Sequence, residues 1–110
     1  MAGGQVNDAI PHFKASLMAR PDYFDAHYNL GHAYAEQGNF SGSAEQFGEA
    51  VRLNPHDPDA EANLGSALAQ LGDLAEAKKH LERALALNPQ HGLARQNLET
   101  VEQLIAEQHR

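Results

Sequence analysis

Residues 24–57, FDAHYNLGHAYAEQGNFSGSAEQFGEAVRLNPHD, are followed by residues 58–91, PDAEANLGSALAQLGDLAEAKKHLERALALNPQH, and the second string restates the first. A shift of 34 residues lays Asn29-Leu30-Gly31 on Asn63-Leu64-Gly65, Gly38 on Gly72, and Leu53-Asn54-Pro55 on Leu87-Asn88-Pro89. Twelve of the 34 positions are identical, the others being Asp25, Ala26, Ala33, Ala35 and Ala50 with their partners. A period of this length marks stacked units, each unable to bury its apolar surface alone. The same phase runs forward to Asn97-Leu98 and backward to Pro21, Phe13 and Gly4. The chain therefore holds the second half of one unit, two full units and the first half of a fourth.

Within each unit the apolar spacing is helical. Leu30 and Tyr34 share one face of a helix from about Phe24 to Gln37, with the small Gly31 and Ala33 beside them. Gly38-Asn39 is a turn, and Phe40, Phe47, Ala50 and Val51 share the face of a second helix reaching about Leu53. Gly42 and Gly48 inside that helix each cost up to about 1 kcal/mol relative to alanine, so it is expected to be the softest of the interior helices. In the next unit Asp57-Pro58 reads as a cap with proline in the first turn. That helix presents Leu64, Ala67, Leu68 and Leu71. Asp73 with Glu76 resembles a capping box opening the following helix, which presents Leu74, Ala77, Leu81, Ala84 and Leu85. Upstream, residues 1–6 are expected to fray, with a helix from Asn7 or Asp8 to Ala19 carrying Ile10, Phe13 and Leu17. Pro11 fits only near the start of that helix, where its missing N–H costs little. Arg20-Pro21 ends it. In the last helix, Gly92 to Gln108, Glu99 and Glu102 replace the Gly31/Gly65 and Tyr34/Leu68 of earlier units, as a polar end-cap requires.

The pattern closely resembles the tetratricopeptide repeat, a 34-residue helix–turn–helix unit with the signature W-x2-L-G-x2-Y…A-x3-F…P. Leu30-Gly31-x-x-Tyr34, Phe47 and Pro55 match it, and Leu64-Gly65, Ala77 and Pro89 match it again. The tryptophan place holds His27 and Glu61, Ser43 replaces the alanine, and Leu68 and Leu81 replace aromatics. The resemblance implies an all-α fold of about six helices, a right-handed solenoid of antiparallel pairs whose first helices line a concave groove. The expected division is a partial repeat over 7–20, full repeats over 24–57 and 58–91, and a capping helix over 92–108.

On the first helices, the positions opposite the Leu/Tyr core are Asp25, Tyr28, Asn29, His32 and Glu36; then Asp59, Ala62, Asn63, Ser66 and Gln70; then Gln96, Asn97, Thr100 and Gln103. Three of these are carboxylates and none is Lys or Arg. The expected partner is thus a protein or peptide that is basic or rich in Ser and Thr. A carboxamide both donates and accepts, so Asn29, Asn63 and Asn97 at one-unit spacing can pair with the backbone of an extended peptide. This looks like the asparagine ladder in the repeat domain of O-GlcNAc transferase. Another mode of the family, which clamps a C-terminal carboxylate with lysines, arginine and asparagines, is not expected, because the lysine places hold Tyr28, Asp25 or Asp59.

Composition narrows the rest. A net charge of −7 argues against nucleic acid as a partner. Without cysteine there is no disulfide, zinc–thiolate site or thiol nucleophile. No apolar run is long enough to insert in a membrane, and Met1-Ala2-Gly3-Gly4 lacks the basic start and apolar core of a signal peptide. A soluble, cytoplasmic protein is expected. His27 and His32 are five apart, not the i,i+4 of helical metal ligands, and the remaining histidines are scattered and read as solvated. Asp57, Asp59 and Glu61 read as capping rather than calcium binding. No cofactor, metal or catalytic residue is expected, and the chain is read as a binding module rather than an enzyme. The alternative is a structural or self-assembling segment of a longer repeat protein or multidomain enzyme, with weak homo-oligomerisation through the N-terminal helix.

Overall fold

The computed structural model describes residues 3–110, with side chains from Val6 onward. Six helices account for them: α1 (Gly3–Ala19), α2 (Phe24–Glu36), α3 (Phe40–Leu53), α4 (Pro58–Gln70), α5 (Leu74–Leu87) and α6 (Gly92–Gln108). Each packs mainly on its neighbours in sequence, and α4 also meets α6. The result is an elongated solenoid of 46 × 28 × 20 Å.

The turns explain the tight pairing. Gly38 and Gly72 stand at φ +78° and +83°, in the left-handed region that glycine enters without a Cβ penalty. In each turn a hydrogen bond runs back five residues, from Asn39 N–H to Tyr34 O at 2.8 Å and from Asp73 N–H to Leu68 O at 3.0 Å. Orphan carbonyls at the helix end are satisfied this way, and the chain reverses at once. Asp57 caps α4 by accepting from the N–H groups of Asp59 and Ala60. The expected capping box at α5 is absent: Asp73 makes no side-chain cap, and Glu76 pairs with Lys79 at 3.3 Å. Its counterpart Asn39 does cap, accepting from Gly42 N–H at 3.0 Å.

Small residues set the distance between paired helices. A Cβ at Gly31 would lie 2.9 Å from the Phe47 ring, and one at Gly65 would lie 2.7 Å from Leu81. Phe47 and Leu81 are fully buried on those two glycines. Leu81 belongs to a cluster with Ala77, Ala84 and Val101, and Leu30 and Ala33 form a second one with Val6 and Ile10. Burying such side chains contributes roughly 1.5–3 kcal/mol each.

Three sequence expectations change. The first helix begins at Gly3, not Asn7 or Asp8, so Gly4 is helical and Pro11 lies inside α1. Val6 supplies the reason: it is buried with Ile10 against Leu30 and Ala33, so the turn ahead of the proline is held by packing. Met1 and Ala2 lie outside the described residues. Leu71 caps the end of α4 and is 49% exposed rather than core. Ala62 is fully buried in the α4–α5–α6 cluster instead of facing the groove. Glu99 and Glu102 of α6 are exposed, with Glu102 4.0 Å from Lys78.

Candidate functional site

Three pockets lie in line along the face built by the first helices. One, about 190 Å³, is formed by α1 and α2, with Val6, Phe13, Asn29, His32 and Glu36 in its walls. The next, about 140 Å³, is lined by His32, Phe40, Phe47, Asn63, Ser66 and Gln70. A third, about 220 Å³, lies between α4 and α6 and is lined by Ser66, Gln70, Asn97, Thr100, Val101 and Leu104. His32 belongs to the first two pockets, and Ser66 and Gln70 to the last two, so the depressions are continuous. Each asparagine of the trio stands in the wall of a different pocket.

The trio is not free amide throughout. Asn63 Nδ2–H donates to the Tyr28 hydroxyl at 3.1 Å and lies 3.5 Å from His32 Nε2. Asn97 Nδ2–H donates to Ser66 Oγ. His32 and Ser66 are equivalent positions of successive units, so each of these asparagines reaches back to the preceding first helix. Asn29 is exposed and makes no such bond among the described residues. Both linked amides keep Oδ1 for another partner, and Asn97 keeps a second N–H as well.

The other expected groove residues divide. Glu36 is exposed beside the first pocket. Asp25 and Gln96 are exposed and line none of the three pockets. Tyr28 stacks on Phe24 and meets His32 and Phe47 edge-on. Burial pushes its hydroxyl pKa up, helped by the charges of Asp59 and Asp57 and opposed by the hydrogen bond from Asn63. His32 packs its ring against Phe47 at 5.0 Å. Desolvation lowers its pKa, against the pull of Glu36 and Asp59, so the ring is neutral near pH 7. Asp59 accepts from His91 Nε2–H at 2.7 Å. The same ring caps α6, its Nδ1 accepting from Ala94 N–H at 3.2 Å, which fixes the tautomer.

The histidines are the clearest miss of the sequence reading. His27 is buried, its Nε2–H donating to Pro21 O at 2.8 Å and its Nδ1 lying 2.8 Å from the Gln46 carboxamide. One unit on, Glu61 is buried and accepts from His80 Nδ1–H at 2.7 Å. In the half unit that follows, Arg95 donates to Pro89 O, repeating the contact of His27 with Pro21. Where the family signature carries tryptophan, this chain carries hydrogen-bonded polar groups. The signal was present in sequence, since the 34-residue shift lays His27 on Glu61 and Gln46 on His80. Ser43 in the alanine place is fully buried, and its hydroxyl has no hydrogen-bond partner among the described residues. No group of three or more metal-ligating side chains occurs among the described residues.

The family model for the tetratricopeptide repeat matches residues 1–58 and again 29–92. The chain belongs to the tetratricopeptide repeat family. Among solved structures it is similar to the first such domain of Spaghetti (RPAP3) bound to an HSP90 peptide, at 30% identity and TM-score 0.89, over 94% of this chain and 82% of that one. It is similar to MamA at 29% identity and TM-score 0.91, over 94% of this chain and 61% of that one. The O-GlcNAc transferase of Thermobaculum terrenum is similar at 28% identity and TM-score 0.81, over 90% of this chain but 19% of that one. No curated protein sequence matches significantly. Tetratricopeptide repeats of this kind are protein-interaction modules, and no helix among the described residues is long and apolar enough to cross a membrane.

Proposed function

We propose that this tetratricopeptide repeat binds an extended peptide along the α2–α4–α6 face, through Asn29, Asn63 and Asn97. The observation that carries the reading is the placement of one asparagine in each of three continuous pockets. Two of the amides are oriented by bonds to the neighbouring helix, which lowers the ordering cost on binding. The related Spaghetti domain holds an HSP90 peptide, which supports a short linear segment as the ligand class. Its acidic peptide suits this groove poorly, because Glu36 in the wall of the first pocket repels carboxylates and no Lys or Arg lines the three pockets. A basic or hydroxyl-rich segment fits better. The reading assigns binding to this chain and no reaction.

The test is an NMR titration that follows the side-chain NH2 resonances of the three asparagines with a library of extended peptides. Peptides that shift these resonances, with binding weakened in Asn29→Ala, support the groove. Shifts confined to the α3–α5 face would overturn it. Each hydrogen bond contributes about 0.5–1.5 kcal/mol net, so affinities on the order of micromolar to millimolar are expected.

A second reading, weak self-association through α1, rests on Met18, which is 87% exposed. Ile10, Phe13 and Leu17 do not add to it, since they pack on α2. Light scattering of Met18→Ser at high concentration tests it: an unchanged mass removes the reading.

A further inference from the structure

A fourth pocket, about 290 Å³, is built from the C-terminal ends of α3 and α5, the loop after α3 and one residue of α4. Its walls are Val51, Pro55, Glu61, Arg83, Ala86 and Leu87, none of which lines a groove pocket. Four of these are apolar, and Leu87 is 39% exposed.

Arg83 is a cation without a partner. Six of the eight Lys and Arg side chains meet an acid, an aromatic ring or a carbonyl; Arg83 and the terminal Arg110 meet none among the described residues. The 34-residue shift shows how this arises. It lays Glu49 on Arg83 and Arg52 on Ala86. In α3 those two positions hold an ion pair at 3.1 Å, closed within one turn of helix. In α5 the cation stands in the first position, the acid is gone, and alanine leaves room beside it.

Glu61 decides how a ligand can lie. It is 3% exposed and accepts from His80 at 2.7 Å. A second carboxylate set deep in the pocket would meet that charge where water screens it poorly. An acid is therefore admitted only at the rim, where Arg83 is exposed, while an aliphatic side chain can cover Val51, Pro55 and Leu87.

We propose that this pocket docks an acidic segment of a partner protein, with a leucine-sized side chain on Val51, Pro55 and Leu87 and an adjacent carboxylate on Arg83. The site is separate from the groove and selects the opposite charge, so neither reading depends on the other.

Three capped tripeptides test it: acetyl-Glu-Leu-Glu-amide, acetyl-Gln-Leu-Gln-amide and acetyl-Glu-Ala-Glu-amide. Each is titrated to about 10 mM in about 0.15 M salt, which screens the chain's net charge of −7 beyond roughly 8 Å. NMR follows the Val51 and Leu87 methyls and the Arg83 Nε–H. The first peptide is expected to move these resonances and to bind at least about threefold tighter than either of the others. Arg83→Glu with Ala86→Arg rebuilds the pair that α3 already carries, and should bring all three peptides to one weak level. Should that variant fail to fold, Arg83→Gln at its exposed position decides the same point: it should erase the difference between the first two peptides and keep the preference for leucine over alanine. Equal binding of the three peptides by the parent, no shift at the highest concentration, or shifts spread equally over Lys78 and Lys79 would overturn the site. So would movement of the Asn63 and Asn97 side-chain resonances without those of Val51 and Leu87, which would put the acid in the groove.

Discussion

His80 Nδ1–H donates to the buried carboxylate of Glu61 at 2.7 Å, and 34 residues earlier the same two positions hold the reverse order, His27 against Gln46 at 2.8 Å. One slot in each unit thus needs a hydrogen-bonded pair, but which helix supplies the imidazole is free. His80→Leu should cost about 1.5–3 kcal/mol, because it strands a buried acceptor. The double change Glu61→His with His80→Gln copies the earlier unit and should recover most of the loss. Urea unfolding of the single and double variants measures the coupling. Additive losses would show that the two positions do not communicate.

Buried polarity without a partner predicts the opposite sign at Ser43. Its unbonded hydroxyl occupies an alanine position, so Ser43→Ala should stabilise the fold by about 1 kcal/mol. Gly48→Ala should add a similar amount, since a Cβ there meets nothing within 4 Å and alanine favours the helix. Gly31→Ala, which drives a Cβ into the Phe47 ring, should cost about 1–3 kcal/mol. Thermal melts rank the three, and a stabilising Gly31→Ala would show that the helices can spread.

The glycines also show how far sequence alone reaches. Gly38 and Gly72 located two turns correctly because a positive φ has few alternatives to glycine. Asp57-Pro58 located the start of α4 because capping is local. Pro11 misled for the complementary reason: a local rule placed it in a first turn, and the packing of Val6 on a helix 24 residues away overrode the rule. The groove divides likewise. Face positions follow from helical periodicity, so Asn29, Asn63 and Asn97 could be singled out. That Asn63 is tied to Tyr28, and Asp59 to His91, depends on distances between units that no periodicity contains.

Unequal support along the stack predicts unequal opening. In such a stack each unit is held only by its neighbours, and α1 has α2 as its main contact while carrying a proline in its interior. Amide exchange should be fastest in α1 and slowest in α4 and α5, which are packed from both sides. Equal protection in α1 and α5 would contradict this.

His32 gives the fold an acid sensitivity of known sign. Burial lowers its folded pKa below the ordinary 6.5, so the unfolded chain takes up the proton first. The contribution is complete above that value and is lost as pH falls through the folded pKa. His32→Gln should therefore flatten the decline in urea midpoint between about pH 7.5 and about pH 5. An unchanged slope would assign the sensitivity to other histidines.

The reversed imidazole slots bear on how such a chain can change over generations. His27 with Gln46, and Glu61 with His80, each lie inside one 34-residue unit, and the outside contact of His27 is a proline carbonyl that recurs as Pro55 and Pro89. A duplication or deletion of whole units carries each pair along intact. A crossover between the two helices of different units would instead set His27 against His80, or Glu61 against Gln46. The first of these joins two rings in a buried site, so recombination within a unit meets a penalty that recombination between units escapes.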